Sequence, residues 1–166
     1  MNVLKKCKRI SVTVFILGMV SGQLYAQSND PEAKASIIKG IEHYENGNFG
    51  ADSLFALGES HSQLGSLAAY NRGRSILEGQ EDLGKARQAF QRAISKTDDE
   101  TLVADAWYNT ANSLMLEKDL ESAIEGYKSA LRANPRHEAA RFNLAQALRQ
   151  QDNQQDQQDQ QDQQDQ

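Results

Sequence analysis

Polar side chains that can hydrogen-bond a peptide recur at one spacing in three stretches of the sequence. Asparagine occupies the same point of three predicted helices, and a second polar side chain follows three residues later. The six residues are Asn71, Arg74, Asn109, Asn112, Asn143 and Gln146. Residues at i and i+3 lie on one side of a helix, and an amide offers both a donor and an acceptor. This column therefore predicts a groove that binds the backbone of an extended peptide.

A second interpretation of the same column is that the amides join neighbouring helices. Buried amides need hydrogen-bond partners, and contacts between helices would supply them. An aromatic ring precedes each asparagine, at Tyr70, Tyr108 and Phe142, and rings at such positions are typical of packing. The sequence leaves both interpretations open, a peptide-binding groove and a set of contacts within the fold.

Arginine is concentrated around the column, at Arg72, Arg74, Arg141 and Arg149. A locally basic surface on an acidic protein indicates an acidic or carboxylate-bearing ligand. Solvated surface arginines are the alternative explanation.

The spacings that catalytic and metal sites require are missing from the sequence. The three histidines, His43, His61 and His137, lie in different segments, and no HExxH, GxSxG or CxxC pattern occurs. Cys7 is the single cysteine. We therefore expect no enzyme activity, no cofactor, no metal site and no small-molecule substrate.

The first 26 residues resemble an export signal. Lys5, Lys6, Lys8 and Arg9 precede a mostly apolar run from 10 to 20, and Leu24-Tyr25-Ala26 resembles a cleavage site. The run is shorter than the roughly 20 residues that span a membrane. We expect a signal peptide cleaved near Ala26 and a periplasmic protein; an uncleaved membrane anchor is the alternative.

Cleavage would make the protein more acidic. It would remove four basic and no acidic residues, which changes the formal charge from −5 to −9. Nucleic-acid binding needs a basic face, so we do not expect nucleic acid as a partner.

The segment Ala104 to His137 shows how the column is positioned. In it Ala123, Tyr127 and Ala130 fall at i, i+4 and i+7, so one helical stripe carries a small, a large and a small residue. Two small residues let a neighbouring helix approach closely, and the ring fills the space between them. One helix pair cannot bury its apolar face alone, so this segment predicts neighbouring repeats.

The same stripe occurs twice before this segment. Ala86, Phe90 and Ala93 form the second copy, and Ala51, Phe55 and Gly58 form a first, less regular one. Predicted repeats span about 31–62, 67–100 and 104–137, and a capping helix spans 138–150. Polar residues that precede the second helices, Asn48, Asp82 and Asp119, are predicted N-caps.

The C-terminal residues 151–166 contain only glutamine, aspartate and asparagine. Nothing apolar is present, and the three-residue period of the aspartates does not follow one face of a helix. This composition predicts a disordered acidic tail, with residues 27–150 as the folded domain.

Trp107, Leu114, Ala123, Tyr127, Ala130 and Pro135 resemble the pattern of a tetratricopeptide (TPR) repeat. The resemblance implies an all-α, right-handed solenoid of about three helix-turn-helix repeats with a C-terminal capping helix. It also implies that the concave surface, made by the first helix of each repeat, binds peptides, and that asparagine at this position contacts the ligand backbone.

The phrase ALRANPRHEAARFNLAQALRQQ and the Gln/Asp-rich tail resemble a narrower group, the small exported TPR proteins of the Bacteroides aerotolerance (Bat) family. This resemblance implies an adaptor or scaffold in an envelope complex whose membrane proteins carry von Willebrand A domains. Two alternatives remain: a self-associating structural module, and a regulatory subunit of an envelope hydrolase.

Overall fold

The computed structural model describes residues 31–61, 63–80 and 82–164, and this part of the chain consists of helices joined by turns and short loops. The predicted signal peptide, residues 1–26, lies outside the described residues. In chain order the helices are α1 (Pro31–Glu45), α2 (Asp52–Gly58), α3 (Gly65–Gly79), α4 (Leu83–Ser95), α5 (Glu100–Leu116), α6 (Leu120–Ala133) and α7 (Glu138–Gln164). None of the helices described is long and apolar enough to cross a membrane.

Each helix packs mainly on its neighbours in the chain. The pairs α1–α2, α3–α4 and α5–α6 stack in order, and α7 packs on α6. The first helices also meet one another, because α1 contacts α3 and α3 contacts α5. This nearest-neighbour arrangement is that of a solenoid. The predicted all-α fold of three helix pairs and a single C-terminal helix is confirmed.

The small-large-small stripes form the core of each pair. Phe90 is fully buried and lies against Gly73, where a Cβ atom would stand 2.5 Å from the phenyl ring. In the third pair Gly126 faces Ala111 so closely that an added Cβ would lie 2.9 Å from the alanine methyl group. The helices of a pair approach this closely only because one of the two facing residues is glycine.

Aspartate side chains begin two of the second helices, as predicted. Asp82 accepts a hydrogen bond from the Lys85 backbone amide at 2.9 Å, and Asp119 accepts one from the Ser122 backbone amide at 3.2 Å. Each bond satisfies a backbone donor that has no partner within its own helix.

The predicted cap at Asn48 is wrong. Helix α2 begins only at Asp52, and its N-cap, Ala51, makes no side-chain capping bond. The Asn48 side chain instead lies 3.1 Å from the His43 ring, while the Phe49 carbonyl accepts a bond from the Ser75 hydroxyl at 2.7 Å. Because the Phe49 carbonyl binds α3, residue 49 stays outside the helix, and α2 begins only after it.

Glu59, just after α2, joins the first repeat to both helices of the second. Its carboxylate accepts hydrogen bonds from Arg72 of α3 at 3.0 Å and from Arg92 of α4 at 2.9 Å. Its carbonyl accepts a bond from Lys96 at 2.8 Å. Burial raises the pKa of Glu59. The hydrogen bonds from Arg92 and Arg72 outweigh this effect and hold the pKa below the ordinary value of 4.5. The first repeat is therefore attached to the second by a charge cluster as well as by its core.

Helix α7 does not end at residue 150 as predicted but continues to Gln164. Glutamine is a favourable helix former, and no glycine or proline interrupts the run. The absence of an apolar face does not prevent a helix, because backbone hydrogen bonding does not need one. Residues 151–158 are exposed on every side, so this part of the extension adds nothing to the core.

Candidate functional site

A groove of about 420 Å³ opens where α3, α5 and α7 lie side by side. We call it the amide groove, because amide side chains of α5 and α7 line its centre. Its lining residues are Leu77, Glu78, Gln80, Asn109, Asn112, Met115, Leu116, Tyr127, Asn143 and Gln146. Its volume is within the range of protein binding clefts. Four of the six predicted site residues meet here: Asn109, Asn112, Asn143 and Gln146.

A hydrogen-bonded cluster forms the floor of the amide groove. The Tyr127 hydroxyl donates to Asn112 Oδ1 at 2.8 Å, and Asn143 Nδ2 donates to the same oxygen at 3.1 Å. Asn143 Nδ2 also lies 3.4 Å from the Tyr127 hydroxyl oxygen. This cluster links α5, α6 and α7, and it holds two of the amides in one orientation.

The asparagines also join successive first helices. Asn109 Nδ2 donates to the Tyr70 hydroxyl at 3.1 Å, and Asn143 Nδ2 lies 3.4 Å from the Tyr108 hydroxyl. In both cases an asparagine reaches back to the tyrosine of the preceding repeat. The amides therefore do make contacts within the fold, as the second interpretation of the sequence expects.

Each of these amides uses only one end in such contacts. Among the described residues, no protein group hydrogen-bonds to Asn109 Oδ1, Asn112 Nδ2 or Asn143 Oδ1. All three side chains line the groove. Two acceptors and one donor, held in place by bonds at their other ends, are therefore available to a ligand. The two interpretations of the sequence are compatible.

Tyr127 is suited to hold this arrangement. Burial raises the pKa of its hydroxyl above 10.0, with a smaller increase from Tyr108, while the bond from Asn143 lowers it. The hydroxyl therefore stays protonated near neutral pH and continues to donate to Asn112.

The structure does not place Asn71 and Arg74 in this groove. Asn71 is only 9% exposed, and Arg74 turns toward the first repeat. There its Nη2 donates to the Tyr44 hydroxyl at 2.9 Å, and its guanidinium lies 4.5 Å from the centre of the Tyr44 ring. The long arginine side chain reaches an aromatic partner on α1 that a short amide could not reach. The predicted column is thus continuous only over α5 and α7.

Besides Arg74, two more of the arginines around the column have partners within the protein. Arg72 pairs with Asp52 and Glu59, and Arg141 donates to the Pro135 carbonyl at 2.6 Å. Among the described residues that line the groove, only Glu78 is charged. The groove itself therefore does not support the expectation of an acidic ligand.

The apolar wall of the groove was not predicted from the sequence. Leu77, Met115 and Leu116 line the groove, and Leu116 is 52% exposed. A signal is present, since Leu77 and Met115 follow Arg74 and Asn112 by three residues and so continue the same helical side. Extending the polar column by one more turn would have found both residues.

The histidines serve local structure. His61 Nδ1 accepts hydrogen bonds from the Gln63 and Leu64 backbone amides at 3.2 Å. His137 Nε2 lies 3.1 Å from Asp105 Oδ1. In residues 31–61, 63–80 and 82–164, no group of three His, Cys, Asp or Glu side chains is placed to hold a metal ion.

Known proteins resemble this chain in its third repeat and in its fold. Residues 104–147 match the tetratricopeptide repeat family. Among solved structures, the TPR2AB-domain:pHSP90 complex of yeast Sti1 superposes with a TM-score of 0.61 at 15% sequence identity, covering 88% of this chain and 54% of that one. This chain thus spans about half the length of that protein chain. No curated protein matches the sequence. The likeness identifies the fold as an all-α TPR solenoid, a fold typical of protein-protein interaction modules.

Proposed function

We propose that this protein is an adaptor that holds an extended peptide segment of another protein in the amide groove. One observation carries the proposal: three oriented amides line the groove, and each has one end bonded within the fold and the other end available to a ligand. A packing role alone would not require these three side chains to line one cavity.

The chemistry of the groove selects an extended backbone. A peptide N–H can donate to Asn109 Oδ1 or Asn143 Oδ1, and a peptide carbonyl can accept from Asn112 Nδ2. Extended segments leave these backbone groups unpaired, so the groove supplies what the peptide lacks. Leu116 offers an apolar surface for one ligand side chain, and Glu78 favours a neutral or basic residue beside it.

We further propose that the partner is an envelope protein. The signal-like pattern of residues 1–26 supports export to the periplasm. The resemblance of residues 130–151 to small Bat-family TPR proteins supports a membrane complex with von Willebrand A domains. Recovery of a peptidase or amidase as the bound partner would instead support the role of a hydrolase regulatory subunit.

Site-specific crosslinking in cells tests this proposal. A photoreactive residue placed at Gln146, which is exposed and lines the groove, is expected to capture one partner. Mass spectrometry should locate the crosslink in a segment without regular secondary structure. The same residue placed at Glu121, an exposed position on α6, is the control. Equal capture of the same segment from both positions would contradict groove binding.

A substitution in the apolar wall should weaken binding without unfolding the protein. Leu116→Asp removes the apolar contact and adds a second carboxylate to the groove that Glu78 lines, and we expect the Kd for the captured segment to rise about tenfold or more. The matched control is Leu57→Asp, at an apolar residue of similar exposure outside the groove. An unchanged Kd for Leu116→Asp, or an equal loss in both variants, would count against the groove.

A further inference from the structure

A second pocket opens between α5 and α6, and the function proposed above does not use it. Its volume is about 380 Å³. Helix α5 contributes Trp107, Thr110 and Leu114, which stand at i, i+3 and i+7 and so form one stripe of the helix. We call this cavity the indole pocket, after Trp107, the single tryptophan of the chain.

The indole pocket and the amide groove lie on opposite sides of α5. The α5 residues that line the groove include Asn109, Asn112 and Leu116, and each follows a residue of the pocket stripe by two positions. Each residue turns an α-helix by about 100°, so two positions correspond to about 200° around its axis. A ligand in one site therefore does not occupy the other.

The two walls of the indole pocket differ in chemistry. Trp107 and Leu114 are its apolar side chains, and both pack against the buried core of the third pair, which holds them in position. The wall on α6 presents the carboxylates of Glu121 and Glu125. No lysine, arginine or histidine in the described part of the chain lines this pocket. A ligand that fits both walls has an apolar part and a positive charge.

The acidic wall is available to such a ligand. Glu121 is exposed, and its carboxylate has no ion-pair or hydrogen-bond partner among the described residues. Glu125 pairs with Lys128 at 2.7 Å, and the two side chains are 60% and 44% exposed. Exposed ion pairs of this kind contribute little to stability, so a ligand cation can replace Lys128 at small cost.

We propose that the indole pocket binds an arginine side chain of a partner protein. The aliphatic part of arginine can pack on Leu114, and its planar guanidinium is attracted to an indole ring such as that of Trp107. The guanidinium carries five N–H donors, for which the Glu121 carboxylate and the Thr110 hydroxyl are acceptors. Lysine carries a compact, strongly hydrated charge that does not stack in this way. A metal ion would gain nothing from the apolar wall.

A site on each side of α5 gives the protein two points of attachment. The segment that places its arginine in the indole pocket is different from the segment in the amide groove, because α5 separates the two sites. Arginine binding does not depend on peptide binding in the amide groove, so each site can be tested without the other.

Titration followed by tryptophan fluorescence tests the indole pocket directly, because Trp107 is the only source of that signal. The probe is the peptide acetyl-Gly-Arg-Gly-amide at constant ionic strength. The control peptide carries citrulline, which has nearly the shape of arginine without its charge. We expect a saturable fluorescence change with the arginine peptide and none with the citrulline peptide. The corresponding lysine peptide should bind about threefold or more weakly.

Substitutions locate the bound peptide. Glu121→Gln removes a charge from the acidic wall and should raise the Kd of the arginine peptide about threefold or more. The matched control is Glu45→Gln, which makes the same change at an exposed residue of α1 and should leave the Kd unchanged. Leu116→Asp, which acts on the amide groove, should also leave it unchanged. Circular dichroism should show all three variants folded, since each residue is exposed.

Four results would overturn the proposal. They are the absence of a saturable change with the arginine peptide, an equal response to the citrulline peptide, binding of the lysine peptide at least as tight as that of the arginine peptide, and an equal effect of Glu121→Gln and Glu45→Gln. A loss of arginine binding in Leu116→Asp would contradict the separation of the two sites.

Discussion

Replacing Phe90 by alanine is expected to lower the free energy of unfolding by about 3–5 kcal/mol. The ring is fully buried, packs 6.0 Å from the Tyr70 ring, and fills the space that Gly73 leaves open. Gly73 has no side chain that could move in to fill the cavity, so the lost contacts are not replaced. Thermal unfolding followed by circular dichroism should show a lower melting temperature, by about 2–4 °C for each kcal/mol of stability lost.

Phe142→Ala is the matched control, because it removes the same atoms from an exposed position. It should change the free energy of unfolding by no more than about 0.5 kcal/mol. Equal losses in the two variants would contradict the assignment of the α3–α4 core.

Removing the charge of Glu59 is expected to cost about 1–3 kcal/mol at neutral pH. Glu59→Gln keeps the shape of the side chain but leaves Arg72 and Arg92 facing a neutral amide instead of a carboxylate. Asp52 still contacts Arg72, which limits the loss. Arg92 pairs with no second carboxylate in the described part of the chain, so most of the effect should arise where α4 meets the end of α2. Chemical denaturation of both proteins at neutral pH measures the difference.

The same cluster predicts how stability depends on pH. The pKa of Glu59 is lower in the folded protein than the ordinary value of 4.5, so its stabilisation is fully present above that value. It is lost as pH falls through the folded-state pKa. Wild-type stability should therefore decline in acid more steeply than that of Glu59→Gln. Parallel acid profiles would show that the arginines do not hold this carboxylate.

The repeat cores can be predicted from sequence because their signal is dense. A small, a large and a small residue at fixed spacing strongly restrict how two helices pack, so the pattern alone assigns Ala86, Phe90 and Ala93 to a core. The aspartate caps at Asp82 and Asp119 are equally predictable, since each directly precedes a leucine that begins an amphipathic helix. These features depend only on neighbouring residues, which is why a pattern suffices.

Features that depend on contacts between repeats are not predictable in the same way. The sequence favours Asn48 as a cap, and only the structure shows that Ser75 of α3 binds the Phe49 carbonyl instead of leaving that segment to start a helix. Arg74 shares its register with Asn112, yet its longer side chain reaches Tyr44 and leaves the groove. The helical extension of α7 is not predicted because the prediction relies on amphipathic periodicity. That periodicity identifies helices that pack against a core, and a helix that packs on nothing does not show it.

The sequence predicts which amide residues form the candidate site, but it does not predict how their amide groups are bonded. Identity and spacing place Asn109, Asn112, Asn143 and Gln146 on one surface. Which end of an amide is bonded internally depends on distant residues: Tyr70 lies 39 residues from Asn109, and Tyr127 lies 15 residues from Asn112. Only the three-dimensional arrangement shows that these side chains line one cavity and that each has one end without a partner in the described part of the chain.

The affinity of the captured segment, as a synthetic peptide, should be measured before and after methylation of its backbone nitrogens. Methylation removes the N–H donors that should bind Asn109 Oδ1 and Asn143 Oδ1, while every side chain of the peptide is kept. We expect methylation at one or two central positions to raise the Kd about tenfold or more, and methylation at the peptide ends to leave it unchanged. Equal affinity of the centrally methylated and unmodified peptides would contradict recognition of an extended backbone by the amide groove.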